Sequence, residues 1–490
     1  MTQELTANQL IEALEFEATL GQLFLSYNQT TSVDGDIISK FLFSKGYYFE
    51  YNTTTSLWCE IPVVVLVNRI ESWLRTQYLI ITRTTGGSDP VKDMILSKAV
   101  KKAAGVKYLN NVVQSIHSDL LDDSIFDKLD KVRPDYLPLK NNKVINLQTG
   151  ETRDRSITDY FTWECPVSKV SEYSEFFLNC IKNIMCNNEQ RLKYFQKIMG
   201  YCLTGRVDSQ QYYIFYGKGA NGKSLILNCI QAVMGQACSP ISKGVIVDCG
   251  KKAGNGSEMM TLKDLRLGLF SETSKLETLN ESMLKQISGG DPIRARALYK
   301  SEISFKVFMK LIVCTNNLPE FDGSDFGNAR RIKLLPFEAK FVSSNPRKEK
   351  NEFLIIEELE KTLIEKHLDE FFSFCLEGAM MWYNDKKFND IPSDVKAQQQ
   401  QYIKEQNSFG SWFTESIKQD DNEKLNRSIV FNSYTSYCEE LGIKSLKKKD
   451  FLEKLGNEIG AATKTSSAWV YKGYKLVEQV ENNHGDNLDD

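Results

Sequence analysis

The chain has 490 residues, a formal net charge of −3 and a 41% apolar fraction. That length exceeds one hydrophobic core and predicts about three domains, while the near-neutral balance excludes a bulk electrostatic case for nucleic-acid binding, leaving only local basic surfaces to make such contacts. No apolar run approaches the ~20 residues of a membrane span, and the opening MTQELTANQL lacks the basic flank and apolar core of a secretion signal, so a cytoplasmic protein without a membrane partner is expected.

The first 135 residues predict a mostly helical accessory domain. Leu10, Ile11, Leu14, Leu20, Leu23 and Phe24 recur at helical spacing, after which YYFEY (Tyr47–Tyr51) and LWCEI (Leu57–Ile61) alternate like a β-hairpin. Residues 136–205 read as a connecting region: a small strand unit in YLPLKNNKVINLQTGETR, then a helical stretch from Glu175 to Thr204. From 206 to 345 strand-like runs alternate with helices, which argues an α/β core. Residues 346–400 extend this with helical periodicity from Glu352 to about Asn384 and a polar, glutamine-rich segment, Ser393–Gln406. A small unit at 401–480 and an acidic tail at 481–490 complete the chain. The eleven cysteines, without a CxxC pair, read as reduced core residues, and His117, His367 and His484 are too dispersed for a metal site or a triad.

Chemistry concentrates in the α/β region. Tyr212–Tyr216 is a β-favouring aromatic run, Lys223–Met234 is helical in period, and GKGANGKS between them fits G-x-x-x-x-G-K-[ST]. Glycines let backbone N–H groups wrap phosphates, a lysine neutralises the β- and γ-oxygens, and a serine hydroxyl serves Mg²⁺. Gly217, Gly219, Ala220, Asn221, Gly222, Lys223, Ser224 and Leu225 are therefore the candidate ATP-binding residues, with Ser224 also a candidate Mg²⁺ ligand. Strand LGLF (Leu267–Phe270) ends in Ser271-Glu272, placing a carboxylate where a group polarising the attacking water and facing Mg²⁺ would sit; a plain strand-end glutamate is the simpler alternative. LKQISGGDPIRARALYKSEISFKVF reads as a basic hairpin carrying Arg294 and Arg296 on one strand face and Lys300 near its tip. Asn316 follows strand Leu311–Cys314, where an amide senses a γ-phosphate or simply closes an Asx-turn. Arg330 and Arg331 precede another apolar strand and suit either an arginine finger or a surface pair.

In the terminal unit, Ile429–Leu441 reads as a helix, and Ser445 is expected to cap a second one, Leu446–Leu455, with Lys447, Lys448 and Lys449 in its first turn. TKTSSAWVYKGYK reads as a hairpin wing with Lys464 and Lys472. Helix, basic helix and wing together suggest DNA binding, although three lysines alone are more often a solvated face.

The order GKGANGKS, LGLFSE, LKQISGGDPIRARALYK, LIVCTNNLP, RRIKLLPF resembles the superfamily 3 helicases, nearest the phage/plasmid and poxvirus-type replicative branch. NNKVINLQTGE and YFQKIMGYCLTG resemble the helical domain before its ATPase; SFGSWFTESI, SYTSYCEELGI and LKKKDFLEKLG resemble its C-terminal winged helix. The size, the initiator-like tail and the lack of room for a primase are similar to the Rep helicase-initiators of staphylococcal pathogenicity islands. The resemblance implies an AAA+-like ATPase core, ATP and Mg²⁺, a homohexameric ring on single-stranded DNA and an origin-binding tail. It implies catalysis by Lys223, Glu272, Asn316 and Arg331 with Arg330, and a DNA grip by Lys300. Ser271 departs from the acidic residue that many such ATPases carry at that point.

Overall fold

Strand β1 (Tyr212–Tyr216) has four of its five residues buried, as a strand covered on both faces requires. The computed structural model describes residues 5–32, 35–85, 89–247, 256–271, 279–296, 302–319, 321, 326–442, 445–466 and 468–477. Around β1 the chain builds a sheet from β2 (Cys238–Pro240), β3 (Leu267–Ser271), β6 (Lys310–Thr315) and β7 (Ile332–Pro336), in the order β2-β3-β6-β1-β7. Every pairing in it is parallel. Between β3 and β6 the chain inserts helix α2 (Glu281–Gly289) and an antiparallel hairpin of β4 (Pro292–Ala295) and β5 (Ile303–Lys306). Helix α1 (Lys223–Met234) leaves the end of β1 and buries Ile226, Ile230 and Val233 against the sheet.

The chain before the sheet forms helices Ala7–Ala13 and Glu17–Tyr27, a three-stranded antiparallel sheet (Phe41–Ser44, Tyr47–Asn52, Leu57–Ile61) and helices Val63–Thr85, Pro90–Ala103 and Val106–Ser115. A second antiparallel sheet joins Tyr136–Leu139, Lys143–Asn146 and Thr152–Asp154. The helical stretch expected over Glu175–Thr204 is two helices, Glu175–Ile184 and Glu189–Leu203. Cys186 and Asn187 break it with φ near 55°, and the Asn188 side chain caps the second helix by accepting from the Gln190 and Arg191 N–H groups.

Glu189–Leu203 crosses the later helix Leu368–Asp385 with backbones in contact. A Cβ on Gly200 would lie 1.9 Å from Ala379 N, and one on Gly378 would lie 1.9 Å from Gln196 O. Only glycine fits at either position. The helical period expected from Glu352 begins later, because Glu352–Leu354 pairs in parallel with Lys340–Val342 while the Glu352 carboxylate accepts from Arg347 Nε and Nη2.

The glutamine-rich segment is helix α3 (Ser393–Gln406), laid along β7 with Gln399 Oε1 accepting from Leu334 N–H at 3.3 Å. Beyond it come α4 (Ser408–Ser416), β8 (Ile417–Asn426), α5 (Arg427–Glu440), α6 (Lys448–Ile459), β9 (Thr463–Lys464) and β10 (Trp469–Leu476). The three strands pair antiparallel in the order β8-β10-β9 over a core that includes Trp412, Tyr434, Phe451 and Leu455. Ser445 does not cap α6: the cap position is Lys447, extended at ψ 144°, and the helix starts two residues later than expected. The exposed strand β8 was not expected either.

Eight of the ten described cysteines are buried; Cys59 is exposed and Cys186 half-buried, so the core assignment fails at these two, and all ten are free thiols. Among the described residues no helix is long and apolar enough to cross a membrane.

Candidate nucleotide site

All parallel strands of the sheet end on one side, and the open crevice of such a sheet lies beyond its carboxyl ends, where neighbouring connections diverge. Here β1 lies between β6 and β7, and the chain leaves it toward β2 at the far edge. A cavity of about 770 Å³ occupies that place, lined by Gly219–Leu225 after β1, Ser271 at the end of β3, Cys314–Asn317 at the end of β6, and Lys243 beyond β2.

The loop after β1 is tied down from both flanks. Gly217 N–H donates to Thr315 O (3.2 Å), Phe337 N–H to Tyr216 O (2.7 Å) and Phe341 N–H to Ala220 O (2.8 Å). A Cβ on Gly217 would lie 2.3 Å from Phe337 O, so the backbone approaches β7 only because the residue is glycine. Gly219, Ala220 and Gly222 take positive φ of 92°, 47° and 86°, a curl that turns the chain into α1. Helix α1 has no side-chain cap on Gly222, so its first-turn N–H groups, unpaired by helix geometry, face the cavity. That terminus suits an anion.

Lys223 is buried and donates to Gly217 O (2.6 Å), Asn221 Oδ1 (3.0 Å) and Asn316 Oδ1 (3.2 Å). Burial lowers its pKa, and the Cys314 thiol beside it opposes the shift in part. Asn221 holds the other end of this arrangement, its Nδ2 donating to Phe337 O at 3.1 Å. Among the described residues the ammonium is thus supplied with neutral acceptors alone, a set that a phosphate oxygen can improve upon electrostatically. Ser224 and Asn316 are exposed to the cavity. The residues present therefore fit a triphosphate, and the Ser224 hydroxyl fits a hard cation bound with it. Glu272 lies outside the described residues, while Ser271, immediately before it, lines the cavity wall.

Arg330 and Arg331 are not in this site. Parallel register pairs Ile332 with Tyr212 and Pro336 with Tyr216, so both arginines stand at the opposite edge of the sheet, about 15 Å away at ~3.3 Å per residue. Arg330 is exposed and donates to Gln210 Oε1 (3.2 Å); Arg331 donates through Nη1 to Gly327 O (2.6 Å). Desolvation and the neighbouring Arg330 lower the Arg331 pKa, with Asp291 opposing.

The candidate DNA contacts form two further groups. On the hairpin, Ile293, Ala295, Ile303 and Phe305 face the core, leaving Arg294, Arg296 and Lys306 exposed; Lys300 lies outside the described residues. In the terminal unit, Lys447, Lys448 and Lys449 are exposed around the start of α6, with Lys448 Nζ 5.4 Å from the Phe431 ring centre. Lys464 and Lys472 are exposed on β9 and β10. Sequence reasoning missed Arg427, whose guanidinium lies 5.9 Å from the ring centre of the half-exposed Trp469. Trp469 is paired with Lys464. The aromatic-basic mixture of the strand carried a signal, but α5 supplies the arginine from forty residues away. Lys243 was also missed, for it follows β2 without a motif of its own.

Residues 215–331 match a model described as "Family of unknown function (DUF5906)". The chain is 29% identical over 254 residues to "Putative helicase L207/L206" of Acanthamoeba polyphaga mimivirus, covering 50% of this chain and 26% of that protein. It is 25% identical over 355 residues to "Putative helicase 184R" of Invertebrate iridescent virus 6, covering 64% and 35% respectively. It is 23% identical over 309 residues to "Putative primase C962R" of African swine fever virus, covering 60% and 32%. The chain thus spans about a quarter to a third of the length of these viral relatives. The solved apo structure of the NrS-1 C terminal region superposes on 94% of this chain and 98% of that one at 13% identity, with a TM-score of 0.46.

Proposed function

We propose that the chain is an ATP-dependent DNA helicase of the superfamily 3 type, with an AAA+-like core, acting in replication as a homohexameric ring. One observation carries the reading: Lys223, Ser224 and Asn316 gather at one edge of the sheet, while Arg330 and Arg331 stand at the other. From there an arginine reaches a γ-phosphate only in a neighbouring copy, so turnover requires a closed assembly with a pocket at each boundary. Kinship with viral proteins named as helicases and primases supports the same reading.

In this reading the N–H groups of residues 220–225 hold the phosphate chain and Lys223 exchanges its three neutral acceptors for phosphate oxygens. Asn316 donates its amide to the γ-phosphate or to the attacking water, Glu272 polarises that water, and Arg331, with Arg330, stabilises the charge that develops next door. Mg²⁺ bound with the nucleotide would be held by the Ser224 hydroxyl, with Glu272 as a second candidate ligand, and would neutralise charge on the phosphates. Arg294, Arg296 and Lys300 line the path of single-stranded DNA through the ring. The terminal unit, read as a winged helix, holds duplex origin DNA through Lys447, Lys448, Lys449, Lys464 and Lys472, which makes the protein a replication initiator of a mobile element, phage or plasmid. Steady-state ATP turnover measured beside displacement of one strand from a forked duplex tests this: DNA-stimulated turnover with displacement is expected. Turnover without displacement replaces the helicase with an assembly switch or a packaging motor.

A further inference from the structure

Helix α3 buries little, Val395 and Tyr402 alone, yet its C-terminal half grips one particular loop. The Tyr402 hydroxyl donates to Pro319 O at 2.5 Å, and its ring meets Phe321 edge-on with centroids 5.3 Å apart. Phe321 N–H donates to Gln406 Oε1 at 3.0 Å. The loop so held begins at Asn316, whose Oδ1 accepts from Lys223, and its first turn is closed by Asn317 N–H donating to Thr315 Oγ1 at 3.0 Å. On the other side, Asn407 follows Gln406 directly and caps α4, accepting from Gly410 N–H at 3.1 Å. One helical turn therefore lies between the loop carrying Asn316 and the first element of the terminal unit. Tyr402 is 2% exposed, and a hydroxyl this deeply buried holds its geometry only while its acceptor stays in place.

We infer that Tyr402, with Gln406, is a positioning residue for Asn316, and that DNA held by the terminal unit alters ATP turnover through this contact; the inference rests on the nucleotide reading above. Displacement of α4 moves Gln406 and Tyr402, which moves the anchors at Pro319 and at Phe321 and with them the angle at which Asn316 meets the γ-phosphate. A 1 Å error at such a group is enough to change rate strongly.

The test is Tyr402→Phe in the full chain, which removes one O–H and keeps the ring, with Gln406→Leu as a second variant. Amide hydrogen exchange at Asn316, Asn317, Leu318 and Phe321 should accelerate about 10-fold, kcat for ATP should fall about 10-fold with KM within 2-fold, and stimulation by duplex DNA should disappear. In an Asn316→Ala background the same substitution should change kcat no further. Unchanged exchange at these amides overturns the inference, and so does an equal loss of kcat in both backgrounds, the mark of a merely structural role. Should the unaltered chain turn over no ATP, the nucleotide reading fails, and the exchange measurement alone decides the positioning role.

Discussion

The two edges of the central sheet both collect cations, but they treat them differently. At the carboxyl edge Lys223 is held by neutral oxygens beside an open cavity, where a ligand can take their place. At the amino edge Arg266 and Lys310, both buried, direct their donors to the end of helix Glu189–Leu203: Arg266 Nη1 donates to Leu203 O at 2.8 Å, and Lys310 Nζ donates to Thr204 O. Their charges rest against the negative end of that helix and against aromatic faces, Trp163 for Arg266 and Tyr201 for Lys310. Such a pair fixes the sheet to the helical region before it, and neither residue lines the nucleotide cavity. The difference teaches that a buried cation marks chemistry only where its partners are exchangeable. Arg330 and Arg331, at the same amino edge, lie nearer the surface and belong to neither class within one copy.

The largest effect should come from breaking that last distinction. Arg331→Ala is expected to lower ATP turnover about 10³-fold, the scale of a missing arginine finger. Mixing it with Lys223→Ala should restore measurable turnover that neither variant shows alone, because one supplies the pocket and the other the arginine. Absence of complementation at ring-forming concentration removes the case for action between copies. Next, Asn316→Ala should reduce kcat about 10²-fold while a fluorescent nucleotide titration shows affinity within a few-fold; equal losses in both would make Asn316 a binding residue only.

The amino edge gives a prediction in stability. Burial lowers the Lys310 pKa to about 7. An unfolded lysine keeps its proton to about 10.4, so between these values the unfolded chain binds more protons, stability rises with pH, and the cost of burying the charge is fully present below about 7. Lys310→Met should therefore gain stability relative to the unaltered chain on going from pH 10 to pH 7, by on the order of 4 kcal/mol. Denaturant midpoints at the two pH values measure it, and a difference that does not change with pH refutes it. The smallest effect is at the terminal unit, where replacing Lys447, Lys448 and Lys449 by alanine should flatten the salt dependence of duplex binding by about 0.9 in log–log slope for each phosphate no longer neutralised.

Much of the carboxyl edge was legible because the backbone there dictates residue type. A loop that curls through positive φ and then opens a helix needs its glycines, so strand, loop and helix could be placed to the residue, and Lys223 and Asn316 do meet. What sequence left hidden has equally physical causes. Helix α3 buries only Val395 and Tyr402, seven residues apart, too sparse a signal for periodicity. Strand β8, KQDDNEK at its centre, is exposed almost throughout and gains its shape from β10, a partner fifty residues away. Lys447 takes the cap position of α6 without a side-chain oxygen, so the Ser445 cue misled. Arg266 and Lys310 carried no motif, since their partners are main-chain carbonyls of another region.

The glycine contact between helices Glu189–Leu203 and Leu368–Asp385 has a bearing on biosynthesis. Each helix is covered by the other, yet roughly 180 residues, the whole parallel sheet among them, are translated between Gly200 and Gly378. At ~5–20 residues per second the earlier helix waits about 10–35 s on the ribosome before its cover emerges. For that interval the apolar side chains of Ile198, Met199 and Leu203 are a natural target for a holdase chaperone, and a nascent chain stalled short of residue 368 should be among the most aggregation-prone forms this protein takes.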